Sequence, residues 1–186
     1  MEILTAFGLS ASAGLNAYIP LLMVALLARF TDLIKLTPPW DALTSPWVIG
    51  LLVVLLLIET FADKVPAINH INDILQTFVR PAAGAIVFAA SANIFSNIHP
   101  VLAITLGLLV AGGVHTAKAV GVRPVVTATT GGVGNVPVSI AEDVISAVTS
   151  FVAIVLPVLI ACALIVFTAL IVTWIWKRNH RQISTN

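Results

Sequence analysis

The chain has 186 residues, of which 59% are apolar and 9% charged, and its mean hydropathy is +1.08. A soluble domain carries about 25% charged residues, so the composition excludes a water-soluble globule and points to a membrane protein. Nine Lys+Arg against eight Asp+Glu leave no basic surface for nucleic acid, and the lone Cys162 excludes an internal disulfide or a cysteine metal cluster.

Charge-free stretches mark the helices. Ile3 to Ala28, Ala42 to Ile58, Pro81 to Ala117 and Val144 to Trp176 carry no Asp, Glu, Lys or Arg. One crossing takes about 20 residues at about 1.5 Å each, so the last two stretches are each too long for a single span. Each holds a break, at Asn93 to Pro100 in one and at Pro157 in the other. The expected elements in chain order are therefore helices near 3–30, 46–65, 73–95, 100–121, 137–156 and 157–177. The fold class is an all-α membrane protein with six transmembrane helices in a single domain, 1–186. In the first helix Pro20 cannot donate to the carbonyl of Asn16, and Gly14 lies just before it, so the helix should be broken near Gly14 to Pro20. Gly8, Ser12 and Gly14 also make a small-residue face suited to close packing, within the chain or in a homo-oligomer together with Gly84.

Orientation follows from the basic residues. With six spans, Lys64, Arg80, Lys118, Arg123, Lys177, Arg178 and Arg181 share one side and only Arg29 and Lys35 lie opposite, whereas fusing the last two helices removes the bias. Lys and Arg are retained in the cytoplasm, so both termini are expected there, with Trp174 and Trp176 anchoring the inner interface and residues 178–186 as a cytoplasmic tail. Met1-Glu2-Ile3 lacks a positive n-region, and the first helix is read as retained, not cleaved.

The halves 1–97 and 98–177 show a weak likeness: Ala13-Gly14-Leu15-Asn16-Ala17 aligns with Gly112-Gly113-Val114-His115-Thr116. Three helices per half would place the halves in opposite orientations, as two inverted repeats, an arrangement common in transporters. Chance similarity between small-residue helices is the other reading.

Few polar residues fall where lipid is expected, and each is informative. Asn16 sits at the break, where its amide and the liberated carbonyl bind an ion, a solute or a neighbouring helix. Glu59 and Asp63 share a helix face, and Glu59 lies about 18 Å along its helix from Trp47, inside the core. Asp63 and Lys64 are near enough to the interface for ordinary solvation. Arg80 precedes Pro81 and needs a carboxylate, a phosphate or water at its depth. His115, about 22 Å from Pro100, and Lys118 share a face. His115 reads either as a proton relay or as a satisfied core histidine, and Arg123 as a positive-inside anchor. Ser139-x-x-Glu142 matches a capping box, with Asp143 beside it in the first turn. The alternative is that Glu59, Asp63, Glu142 and Asp143 meet Arg80, His115, Lys118 and Arg123 in one near-neutral cluster. The stretch Thr127 to Asn135 reads as a flexible Gly-rich loop without the G-K-[ST] of a P-loop.

Gly14-Leu-Asn-Ala-Tyr-x-Pro20, Glu59-x-x-x-Asp63-Lys64-x-Pro66, Thr77-x-x-Arg80-Pro81-x-x-Gly84-Ala85, Gly113-x-His115-x-x-Lys118-Ala119 and Ser139-x-x-Glu142-Asp143, in this order, resemble the bacterial membrane family catalogued as domain of unknown function 4126. The resemblance implies a small bacterial inner-membrane protein and carries no established activity. The residues themselves suggest a small transporter or flippase-like permease. Glu59, with Asp63 or His115, would take a proton or cation; Arg80, Lys118 and Arg123 would attract an anionic solute or lipid head group. A non-transporting scaffold is the alternative. No zinc-protease signature or facing Ser/His pair is present, so neither an enzyme nor a cofactor is expected, and the expected partners are the bilayer and the solute or lipid.

Overall fold

The computed structural model describes residues 2–63, 66–95 and 98–183, and beyond Pro157 little more than the backbone. The described residues are helical, with no strand among them. In chain order the helices are α1 (Glu2–Leu15), α2 (Tyr18–Phe30), α3 (Pro46–Ala62), α4 (Pro66–Phe95), α5 (Pro100–Thr116), α6 (Arg123–Thr130) and α7 (Asn135–Ile183). A short 3₁₀ turn, Trp40–Thr44, precedes α3, and a π-helical stretch, Ala117–Val122, joins α5 to α6.

The expected break in the first helix is present at Asn16 and Ala17. The Asn16 side chain replaces what the backbone loses: its Oδ1 accepts from the N–H of Tyr18 at 3.0 Å and of Ile19 at 3.1 Å, starting α2. The π-helical stretch has a matching cause. Pro124 lacks an N–H and its ring crowds the carbonyl four residues earlier, and a wider turn relieves that crowding. Gly131 and Gly132 then end α6 with φ of 64° and 90°, the left-handed region that glycine adopts without cost.

Two boundaries depart from expectation. The chain does not stop at Pro157, which lies inside one continuous α7. Pro157 cannot donate to the carbonyl of Ala153, but the Thr5 hydroxyl of α1 donates to it at 2.8 Å, so the helix tolerates the proline. The Gly-rich loop is also shorter than expected, because Thr127 to Thr130 belong to α6. Expectations about Lys64, and about the side chains of Trp174, Trp176, Lys177, Arg178 and Arg181, lie outside the described residues.

Ala6, Leu9, Ser10, Ser12 and Ala13 of α1, and Asn16 just beyond it, are all fully buried, because α4, α5 and α7 pack around this helix. Small residues set the spacing. A Cβ on Gly14 would meet Ala111 O at 2.6 Å, one on Gly8 would meet Ala153 Cβ at 2.7 Å, and Gly84 abuts Ala111, Ser10 and Gly107. Ser12 Oγ bonds Ser146 and Ser150 at 2.7 and 2.6 Å. Gly8, Ser12 and Gly84 are thus used for close packing within the chain. Phe7 meets Phe88 edge-on at 5.1 Å.

Among the described residues, large apolar side chains cover much of the exterior, while the interior holds charged residues beside small and apolar ones. Trp47 is 88% exposed and Phe78 76%, while Arg80 and Glu59 are each 1% exposed. Large apolar side chains outside and charges inside suit lipid as the surrounding solvent. Ile74–Ala92, Pro100–Thr130 and Asn135–Pro157 are long and apolar enough to cross a membrane, and α1, α2 and α3 are shorter apolar helices.

Candidate functional site

α3 is apolar along most of its length and exposes Leu51, Val53, Val54, Leu57 and Ile58. It buries only Leu52 and Glu59. Glu59 Oε1 accepts from Arg80 Nη2 of α4 at 2.8 Å. Arg80 Nη1 lies 3.4 Å from His115 Nδ1 of α5. A guanidinium has no acceptor, so Nδ1 accepts and the ring proton resides on Nε2, which faces Thr77 Oγ1 at 3.2 Å.

The second group forms where α5 passes into the π-helical stretch. Lys118 Nζ bonds Glu142 Oε2 of α7 at 2.7 Å and also donates to Leu15 O at 3.2 Å, capping the broken end of α1. Arg123 Nη2 spans Glu142 Oε2 at 3.5 Å and Asp63 Oδ2 at 3.4 Å. Asp63, at the turn beyond α3, also accepts from Asn72 at 2.7 Å and Ser139 at 2.8 Å. Burial disfavours the charged form of Asp63, but the Ser139 bond, the Arg123 charge and the Asn72 bond outweigh it and hold its carboxyl below the ordinary range. Asn16 Nδ2 donates to Asp143 Oδ1 at 2.8 Å, and Asp143 is within electrostatic reach of Lys118, Asp63 and Arg80.

The nine residues singled out from the sequence fall into three bonded groups, Glu59 with Arg80 and His115, Asp63 with Arg123, Glu142 and Lys118, and Asn16 with Asp143, which lie within electrostatic reach of one another. Three plainer expectations are corrected. Ser139 and Glu142 form no capping box, since α7 begins at Asn135 and Ser139 serves Asp63. Asp63 is 3% exposed and not solvated at an interface, and Arg123 is buried between two carboxylates, not a surface anchor. Tyr18, Asn72, Gln76 and Ser139 were missed as members. Asn72, Gln76 and Arg80 recur every fourth residue along α4, a polar stripe on one face that the spacing alone could have revealed.

Among the described residues, Glu59, Asp63, Glu142 and Asp143 supply four carboxylates to these groups and Arg80, Lys118 and Arg123 three cations, with His115 beside Arg80. A cavity of about 480 Å³ adjoins the set, lined by Asp63, Thr127, Gly131, Gly132, Val133, Asn135 and Val136. An apolar groove of about 400 Å³ between α1 and α7, at Gly8, Ala153 and Pro157, touches none of these charges.

Fold and site together define a helical membrane protein with a buried ionic network at its centre. Residues 3–178 match the family model described as Domain of unknown function (DUF4126), and the chain belongs to that family. No curated protein and no solved structure matches it.

Proposed function

We propose that the protein is a small permease of the bacterial inner membrane for an anionic solute or lipid head group, coupled to a proton or cation. The observation that carries this reading is the network of four carboxylates and three cations, closed off from lipid and adjoining a cavity. Charges at such depth usually face a bundle interior or a wet path, and they mark ion and proton routes. Two of the Arg123 contacts, Nη2 to Asp63 Oδ2 at 3.4 Å and to Glu142 Oε2 at 3.5 Å, are longer than the roughly 2.7–2.9 Å of a tight charge-assisted bond. An anion arriving through the cavity can compete for Arg123 with Asp63 and Glu142.

The two interruptions of helical geometry, at Asn16-Ala17 and at Ala117–Val122, fall at corresponding places in the aligned halves 1–97 and 98–177. Lys118 reaches across to Leu15 O between them. This supports two inverted repeats with the site at their junction. The same proposal puts the N-terminus, Asp63, Lys118 and Arg123 toward the cytoplasm. Six crossings, with both termini inside, require a reversal at Pro157. A continuous α7 of 49 residues carries the C-terminus away instead. Labelling of cysteines introduced at either terminus from each side of the membrane decides between them.

The test of transport is flux in proteoliposomes that enclose a pH-sensitive dye, with chloride, phosphate and a short carboxylate as trial anions and a fluorescent anionic lipid to report scrambling. Flux should depend on pH and collapse in Glu59→Gln; unchanged flux in that variant sinks the coupling role. A second reading, a scaffold without transport, draws support from the serine contacts of Ser12 with Ser146 and Ser150, which join α1 to α7 without any charge.

A further inference from the structure

Four buried polar side-chain atoms have no hydrogen-bond partner among the described residues: Trp40 Nε1, in the turn before α3, and three on neighbouring residues of the charged interior, Glu59 Oε2, Gln76 Oε1 and Arg80 Nε. These three residues are 1%, 3% and 1% exposed. Gln76 and Arg80 lie four apart on one face of α4, Arg80 grips Glu59 at 2.8 Å, and Tyr18 of α2 lies beside Gln76 and within electrostatic reach of Glu59 and Arg80. A buried polar atom left without a partner carries its full desolvation cost, so three on neighbouring residues call for an occupant. One donor N–H and two acceptor oxygens match the bonding of a single water, since buried waters make about three hydrogen bonds.

We propose that Glu59, Gln76 and Arg80, closed over by Tyr18, form a buried water-binding site that holds the coupling proton. The water accepts from Arg80 Nε and donates to Glu59 Oε2 and Gln76 Oε1. On protonation, a proton carried in on this water passes to Oε2, one O–H bond breaking on the water as one forms on the carboxyl. The new Oε2–H then donates back to the neutral water, which keeps its bond to Gln76. The charges facing Glu59 are Arg80 of α4, Asp63 at the end of α3 and Asp143 of α7; Tyr18 of α2 and, behind Arg80, His115 of α5 are the other titratable neighbours. The inference rests on the reading of Glu59 as the proton-carrying group and adds Gln76, Tyr18 and a water to it.

Infrared difference spectra of the full chain in nanodiscs, taken between high and low pH, test it with water as the probe. A carboxylic C=O band should rise at low pH and be absent in Glu59→Gln. A water O–H stretch should shift in H₂¹⁸O and disappear in Gln76→Leu. Tyr18→Phe removes one hydroxyl and keeps the ring, so it provides a milder variant in which that stretch should shift. A Glu59-dependent band with no ¹⁸O-sensitive stretch would overturn the proposal, because the Gln76 amide would then be turned to bond Oε2 directly. Absence of any Glu59-dependent band would also overturn it. Flux is read separately: both bands present without flux removes the permease reading and leaves the water site standing.

Discussion

Replacing Arg80 by Met is the sharpest perturbation of the network. Arg80 and Glu59 are each 1% exposed and meet at 2.8 Å. With charge centres roughly 4 Å apart and an effective dielectric of about 20, their attraction is about 4 kcal/mol. Removing one partner leaves a buried carboxylate uncompensated, which costs about 3–5 kcal/mol. The loss of a donor to His115 Nδ1 adds about 1 kcal/mol. Arg80→Met alone should therefore lower stability by about 4–6 kcal/mol. The double variant Glu59→Leu with Arg80→Met removes both charges, and since a buried pair and an apolar replacement are often equivalent, it should fall within about 2 kcal/mol of wild type. Reversible unfolding in mixed micelles of rising SDS content, followed by circular dichroism, measures both. A cost below about 1 kcal/mol for Arg80→Met would mean that water screens the pair, and a double variant as unstable as the single would mean that the pair is no energetic unit. The double variant also separates the two functions: a folded protein that has lost flux is a permease without its coupling site, and one that keeps its cellular role is a scaffold.

Thr5→Val should cost about 1–3 kcal/mol by leaving Ala153 O unpaired beside Pro157, and the cost should shrink in a Pro157→Ala background, where the helix supplies the missing N–H. Gly14→Ala, whose Cβ would meet Ala111 O at 2.6 Å, should destabilise by about 1–3 kcal/mol. Gly113→Ala, which meets nothing within 4 Å, should be neutral or stabilising by up to about 1 kcal/mol in the same unfolding assay. The lowered pKa of Asp63 stabilises the fold above its unfolded value of about 3.9, and that contribution is lost as pH falls through the folded value. Asp63→Asn should flatten the acid limb of the stability profile, and an unaltered limb would show that Asp63 is not held in its charged form.

The sequence revealed which residues matter because charge is so scarce in it: Glu59, Arg80 and His115 could not be lipid-facing, and all three are buried. It also located the break at Asn16, since a proline four residues beyond removes a helical hydrogen bond. The plainer residues were misjudged where a local rule competed with a tertiary partner. Ser139-x-x-Glu142 fits a helix start, yet the helix begins four residues earlier and both side chains turn to Asp63, Lys118 and Arg123. Pro157 reads as a stop, but no local pattern could disclose that Thr5, 152 residues away in the chain, lies beside Ala153 to accept the proline's consequence; their sequence separation of 148 puts this contact beyond any periodicity. Partner choice was illegible for the same reason: which acid meets which base depends on how α3, α4, α5 and α7 surround α1.

A network built only to join helices is best served by paired charges and closed hydrogen bonds. Much of this interior meets that standard: Lys118 closes the end of α1, Asn16 starts α2 and reaches Asp143, and Ser139 and Asn72 complete Asp63. Apart from Trp40 Nε1 in the turn before α3, the exceptions lie around one ion pair: Glu59 Oε2, Gln76 Oε1 and Arg80 Nε are left over. A pair serving structure alone would be expected to close these bonds, since each open one carries a desolvation cost. Unused donors and acceptors around a buried acid are instead what a site needs if its charge is to change while the helices around it stay in place.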